Sequence, residues 1–131
     1  SSAASDVYKR QLLKKNQAAF SAENLTIVAG SAPEACDDLP APTHAFIGGS
    51  AGNLHGILAV LLQKNPQVRI VATAVSLESV AELTACMKDF AFTEAEAVSV
   101  QIARGKKAES YHLMAGQNPV YVFTMQSEEK L

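Results

Sequence analysis

Excess basic charge is absent from this sequence. Eleven lysines and arginines stand against 13 aspartates and glutamates, a net charge of −2. Without a basic stripe there is no electrostatic footprint for nucleic acid. Long hydrophobic runs are absent too, and none approaches the ~20 apolar residues that span a bilayer. The opening SSAASDVYKRQ has no apolar core, so it does not read as a secretory signal. Cysteine is scarce. Cys36 and Cys86 lie far apart in no metal-like spacing, and reduced thiols in a cytoplasmic setting are expected. His44, His55 and His112 are isolated, and none pairs with Cys, Asp or Glu at a ligand spacing, so no metal site is expected. No catalytic triad or paired acid stands out, and no catalytic residue can be assigned.

What is present points to a globular chain. Of 131 residues, 48% are hydrophobic, enough for a core in one domain. Residues 1–11 read as a polar leader without periodicity. Leu12 to Phe20 has good helix formers with Leu12, Leu13 and Phe20 as anchors. Leu25 to Val28 is a short β-branched run. Ala32 to Asp38 reads as one or two helical turns, stopped by Pro40 and Pro42. His44 to Ile47 is a second apolar run. Leu54, Ile57, Leu58, Leu61 and Leu62 then form one stripe at the helical period, ending at Asn65 and Pro66.

Val68 to Val75 predicts a buried strand, and Ser76 a cap for a helix bearing Val80, Leu83, Met87 and Phe90. Cys86 reads as a small core hydrophobe. Val98, Val100 and Ile102 alternate with polar or small residues, and Val120 to Met125 is strongly β-prone. Between them, Arg104 to Gln117 reads as a polar loop. The last two strands are expected to be half-exposed and antiparallel, the earlier ones fully buried. The order predicts an α/β fold with a mostly parallel sheet, which binds ligands at the carboxyl ends of its strands.

That rim includes FIGGSAGNL, residues 46 to 54. Glycines at a strand end let the backbone approach a ligand. The helix that follows offers free N–H groups and a positive dipole. It is not a Walker loop, because no Lys-Ser or Lys-Thr pair follows, and Ser50 breaks a dinucleotide fingerprint. On spacing alone, a tight strand–helix turn without a ligand is as good a reading.

The letters add a resemblance. FIGGSAGNL resembles the post-strand motif of the decarboxylating precorrin-6B and cobalt-precorrin-6B methyltransferases of cobalamin biosynthesis. ENLTIVAGSAPE (23 to 34) resembles that family's third strand and turn, VRIVATAVSLES (68 to 79) its fifth strand and helix cap, and YHLMAGQNPVYV (111 to 122) its closing segment. The four motifs run in order over about Leu12 to Met125. The resemblance implies a class I S-adenosylmethionine-dependent methyltransferase, Rossmann-like, with a mostly parallel sheet and an antiparallel final hairpin. Its substrate would be a tetrapyrrole, methylated at a meso carbon and decarboxylated at a ring acetate. No nucleic acid or membrane partner is expected, and a homo-oligomer, a tetramer as in the family, is.

The resemblance implies cofactor contacts from Gly30, Ser31, Ala32, Gly48 and Gly49, and substrate contacts from Ser50, Asn53, Ser76, Gln117, Asn118 and Pro119. Asn53 reads equally well as a helix N-cap, and Gln117 to Pro119 as turn chemistry. Arg104, Lys106 and Lys107 suit a substrate rich in carboxylates, although a solvated loop is the commoner fate of such a run. Tyr111 and His112 could lie near the substrate.

This sequence also departs from the family. No G-x-G-x-G loop precedes residue 30, and SSAASDVYKRQ stands where a strand ending in an acidic residue belongs. The expectation is therefore a C-terminal part, with the N-terminal strands missing, residues 1–11 a disordered or foreign leader and 12–131 a truncated methyltransferase domain. Exposed apolar sheet edges would follow, and such a chain alone is expected to be inactive. Ser31 replaces a usual acidic residue, and Thr73 an asparagine. The competing reading is a non-catalytic α/β binding or assembly module. A flavodoxin-like or dinucleotide-binding domain has no supporting motif.

Overall fold

A computed structural model of the chain describes residues 3–48 and 52–128. It divides into two compact units, Ser1–Asp38 and Leu39–Leu131, where the length alone suggested one.

In the first unit, helix α1 runs Ala3–Ala19. The expected aperiodic leader is therefore helical from Ala3 onward and continuous with the helix expected from Leu12. Lys9, Arg10, Gln11, Lys14 and Lys15 are all fair helix formers, so propensity carries the helix without an apolar stripe. The β-branched run Leu25 to Val28 forms no strand. A strand needs a partner's ladder, and here the Leu25 N–H donates to the Ala22 carbonyl and the Leu25 carbonyl accepts from Gln17 Nε2. Glu34–Cys36 is a single 3₁₀ turn, as Ala32 to Asp38 suggested.

The second unit holds the sheet. Strand β1 (His44–Ile47) leads to α2 (Leu54–Lys64), β2 (Arg69–Ala74) to α3 (Leu77–Asp89), and β3 (Glu94–Val100) begins the closing part. Strands β4 (Ala103–Ala108) and β5 (Tyr111–Gly116) form a separate two-stranded ribbon, and β6 (Val120–Gln126) returns to the sheet. The expected polar loop Arg104 to Gln117 is thus a hairpin. Its residues are almost all exposed, so no apolar periodicity announces it.

Sheet order is β1-β2-β6-β3. Strands β1 and β2 are parallel, while β6 is antiparallel to both β2 and β3. The sheet is mixed among the described residues, with a single parallel pair, rather than mostly parallel. The antiparallel reading of the last two strands holds.

Helix and strand faces meet as the periodicities require. Leu54 and Leu58 of α2 and Leu83 and Cys86 of α3 are buried against Ile70, Ala72, Phe123 and Met125. Register places Ile70 opposite Met125 and Ala72 opposite Phe123, so these residues share one face. Burying each large side chain contributes about 1.5–3 kcal/mol. The other face is less covered. Residues of β2 alternate between buried and half-buried, and Phe46 on β1 is 71% exposed. The expectation of fully buried early strands fails at β2, where alternate residues are half-buried, and further at β1, which among the described residues is an edge strand beside β2.

Candidate functional site

Three segments of the second unit reach one edge of the sheet. Ile47 pairs with Ala72, so β1 and β2 end together, releasing Gly48 and Ser76 there. Ala74 pairs with Tyr121, so antiparallel β6 starts at that same edge and places Gln117, Asn118 and Pro119 beside it. The Gln117 N–H donates to the Ile102 carbonyl at 2.9 Å and closes the base of the β4–β5 ribbon. The ribbon therefore rises from the edge where ligands bind in open α/β sheets.

The ribbon's register sorts its cations. Arg104 pairs with Ala115 and Lys106 with Leu113, while Lys107 pairs with His112. Strand alternation thus puts Arg104 and Lys106 on one face with Tyr111 and Leu113, and Lys107 and His112 on the other. All six are exposed.

The turn residues differ in how they are held. Gly49 and Ser50 lie outside the described residues. Gly48 is exposed. Gly52 (φ 96°) and Asn53 (φ 53°) both have positive φ, conformations that favour Gly and tolerate Asn. Asn53 occupies the N-cap position of α2 but makes no side-chain cap bond. Glu82 of α3 does so instead. Its Oε1 accepts the N–H groups of Leu54 at 2.6 Å and His55 at 3.3 Å. This residue was missed from sequence, since a cap 28 positions away carries no local signature. Ser76 caps α3 as expected, accepting the Ser79 N–H at 3.1 Å.

His55 Nε2 lies 3.5 Å from Asp89 Oδ2, and its ring packs on Phe90 with centroids 4.7 Å apart. Cys86 is buried. Burial pushes its thiol up, and the nearby carboxylates of Glu82 and Asp89 add to the effect, which suits an inert core residue.

In the first unit, Gly30, Ser31 and Ala32 are exposed. Gly30 has φ 141°, and a Cβ there would fall 2.8 Å from Ala35 Cβ. The glycine is thus required by its own turn, whether or not a ligand sits nearby. The Ser31 carbonyl accepts the Ala35 N–H at 2.8 Å. A cavity of about 470 Å³ adjoins this turn, lined by Lys9, Arg10, Leu13 and residues 28–31. Another of about 500 Å³ lies where β2 begins and β6 ends, lined by Leu62, Pro66, Phe90 and Phe92 among others. That is the edge opposite the candidate site, and no cluster of reactive side chains faces it.

Among the described residues no group of three His, Cys, Asp or Glu is placed to hold a metal, and no helix is long and apolar enough to cross a membrane. For a nucleoside cofactor, the exposed backbone at Gly30 to Ala32 suits a flat polar edge. Ser31 offers a hydroxyl and no carboxylate there, and no described segment is a glycine-rich loop.

The α/β fold matches those of solved methyltransferases. The structure superposes on precorrin-6y C5,15-methyltransferase from Geobacter metallireducens with a TM-score of 0.77 and 33% identity, covering 87% of this chain and 60% of that one. It superposes on precorrin 8w decarboxylase from Methanobacterium thermoautotrophicum with a TM-score of 0.72 and 35% identity, covering 79% and 55%. The family model of the precorrin methyltransferase domain matches residues 3–127, and the chain belongs to that family. A Methanothermobacter thermautotrophicus protein named "Probable cobalt-precorrin-6B C(15)-methyltransferase (decarboxylating)" is 36% identical over 109 residues, 82% of this chain. The chain spans 56% of that relative's length.

Proposed function

We propose that this chain supplies the substrate-facing edge of an S-adenosylmethionine-dependent, decarboxylating methyl transfer to a tetrapyrrole of cobalamin biosynthesis. One observation carries the reading. In a member of this family, Gly48, Ser76 and Gln117 to Pro119 converge on one sheet edge, with a cationic ribbon rising from it.

The roles follow from chemistry. When bound, the cofactor supplies an electrophilic methyl group. Transfer to a carbon nucleophile needs alignment more than acid–base residues. Gly48 and Gly49 would give backbone clearance, and Ser50, Asn53, Gln117 and Asn118 hydrogen bonds to the substrate. Ser76 would contribute less, its hydroxyl already serving α3. Pro119 would shape the wall. Arg104 and Lys106 would neutralise carboxylates in charge-assisted bonds while Tyr111 and Leu113 meet an apolar ring face. Gly30, Ser31 and Ala32 would border the nucleoside. Decarboxylation leaves electrons that a conjugated macrocycle absorbs, so the protein need not provide the sink. The cytoplasm is the setting this pathway implies, and a homotetramer the assembly.

The second reading, a non-catalytic binding or assembly module, is favoured by Ser31, which offers no carboxylate at its turn. Calorimetric titration of the chain with S-adenosylhomocysteine tests the first reading. Saturable micromolar binding supports a cofactor-binding edge. Absence of saturable heat means that the chain alone is no cofactor site.

A further inference from the structure

We propose that Glu82 is a positioning residue for the first turn of α2, just after the positive-φ pair Gly52 and Asn53. Its importance to binding rests on the reading that this turn borders the site.

Asn53 makes no side-chain cap bond to α2, and its amide lies where a Cβ on Gly56 would come, 2.5 Å from Oδ1. Two consecutive positive-φ residues, Gly52 and Asn53, precede the helix. Such a backbone persists where its surroundings over-determine it. Glu82 holds the helix start that follows Gly52 and Asn53. One carboxylate oxygen takes both the Leu54 and the His55 N–H groups. A carboxylate at a helix N-terminus is favoured by charge-assisted bonding and by the helix dipole.

A second grip falls on the same residue. The His55 ring sits between Asp89 and Phe90, seven and eight positions beyond Glu82 on and just past α3. Helix α3 thus holds the first turn of α2 through backbone and side chain. A consequence follows for ligands. The Leu54 and His55 amides already have an anion, so a ligand carboxylate or phosphate would have to find its donors elsewhere along the edge.

The test compares E82A, which removes the acceptor, with E82Q, which keeps an acceptor without charge. Amide hydrogen exchange in the full chain is followed by NMR. Leu54 and His55 are expected to exchange about tenfold faster in E82A, the change a lost bond to a charged group predicts. The amides of Ile70, Ala72 and Phe123 keep their rates, and E82Q restores most of the protection. Unchanged exchange at Leu54 and His55, or uniform acceleration including the core amides, overturns the proposal. Titration with S-adenosylhomocysteine separates this from the binding reading. Wild-type binding weakened about tenfold in E82A and recovered in E82Q supports the positioning role in binding. Wild-type binding that E82A leaves untouched overturns that role. Local exchange effects in a wild-type chain that binds nothing uphold Glu82's hold on the turn and remove the site reading alone.

Discussion

Two helices of this chain are made in different ways. Helix α1 has 17 residues and α2 has 11, yet the shorter one is better anchored. Leu54 and Leu58 of α2 are 2% and 0% exposed, whereas Leu12, Leu13 and Phe20 in and after α1 are 45%, 49% and 81% exposed. Helix α1 has its letters and its i→i−4 bonds. Helix α2 has in addition a core, a carboxylate on its first amides and a stop at Asn65, whose N–H reaches the Leu61 carbonyl. Isolated helices of this length are marginal in water, and tertiary packing supplies most helical stability. Helical letters therefore set what a segment can form, and packing sets what it keeps.

Core truncation should give the largest contrast. Leu58→Ala is expected to cost about 2–5 kcal/mol, while Leu13→Ala, an exposed position, should stay within about 0.5 kcal/mol. Urea melts followed by circular dichroism compare them, and equal losses would erase the distinction between the two helices. Next comes the cap. Ser76→Ala should cost about 1 kcal/mol, with faster exchange of the Ser79 amide, which its hydroxyl now accepts. An unchanged Ser79 amide would remove the cap from the account.

The smallest effect concerns pH. Burial, then Glu82 and Asp89, raise the Cys86 thiol above its ordinary value of 9.0. A raised folded value means the folded state holds its proton more tightly than the unfolded chain. The associated stability is full below about pH 9 and is lost as pH climbs through the folded value. Melts of wild type above pH 9 should fall more steeply than those of Cys86→Ala, whose plateau is lower but flatter. Parallel curves would show that Cys86 does not titrate in this window.

Much of the second unit was legible. The i, i+3, i+4 stripe beginning at Leu54 announced α2, and the β-prone runs announced β2 and β6, because burial on one face imprints a period. Ser76 was legible as a cap because caps act over three residues. The β4–β5 ribbon was not, since exposed residues such as Arg104 and Lys107 are under no packing constraint to alternate. Leu25 to Val28 misled for the opposite reason. Its letters favour a strand, but a strand exists only with a partner. For the candidate site, the motif letters put forward Gly48, Ser76 and Gln117 to Pro119, while the edge they share came from register.

By itself, then, the sequence determined the family, the helix and strand capacities of most segments, and the short-range caps and stops. All of these depend on residues within a few positions of one another or on letters matched in order. Only the tertiary structure decided that, among the described residues, the sheet is mixed and β1 is an edge, that the ribbon rises where β3 ends and β6 starts, and that Glu82 caps α2 from 28 positions away. Those facts depend on which distant backbones meet, and distance along the chain leaves no periodic trace of such meetings.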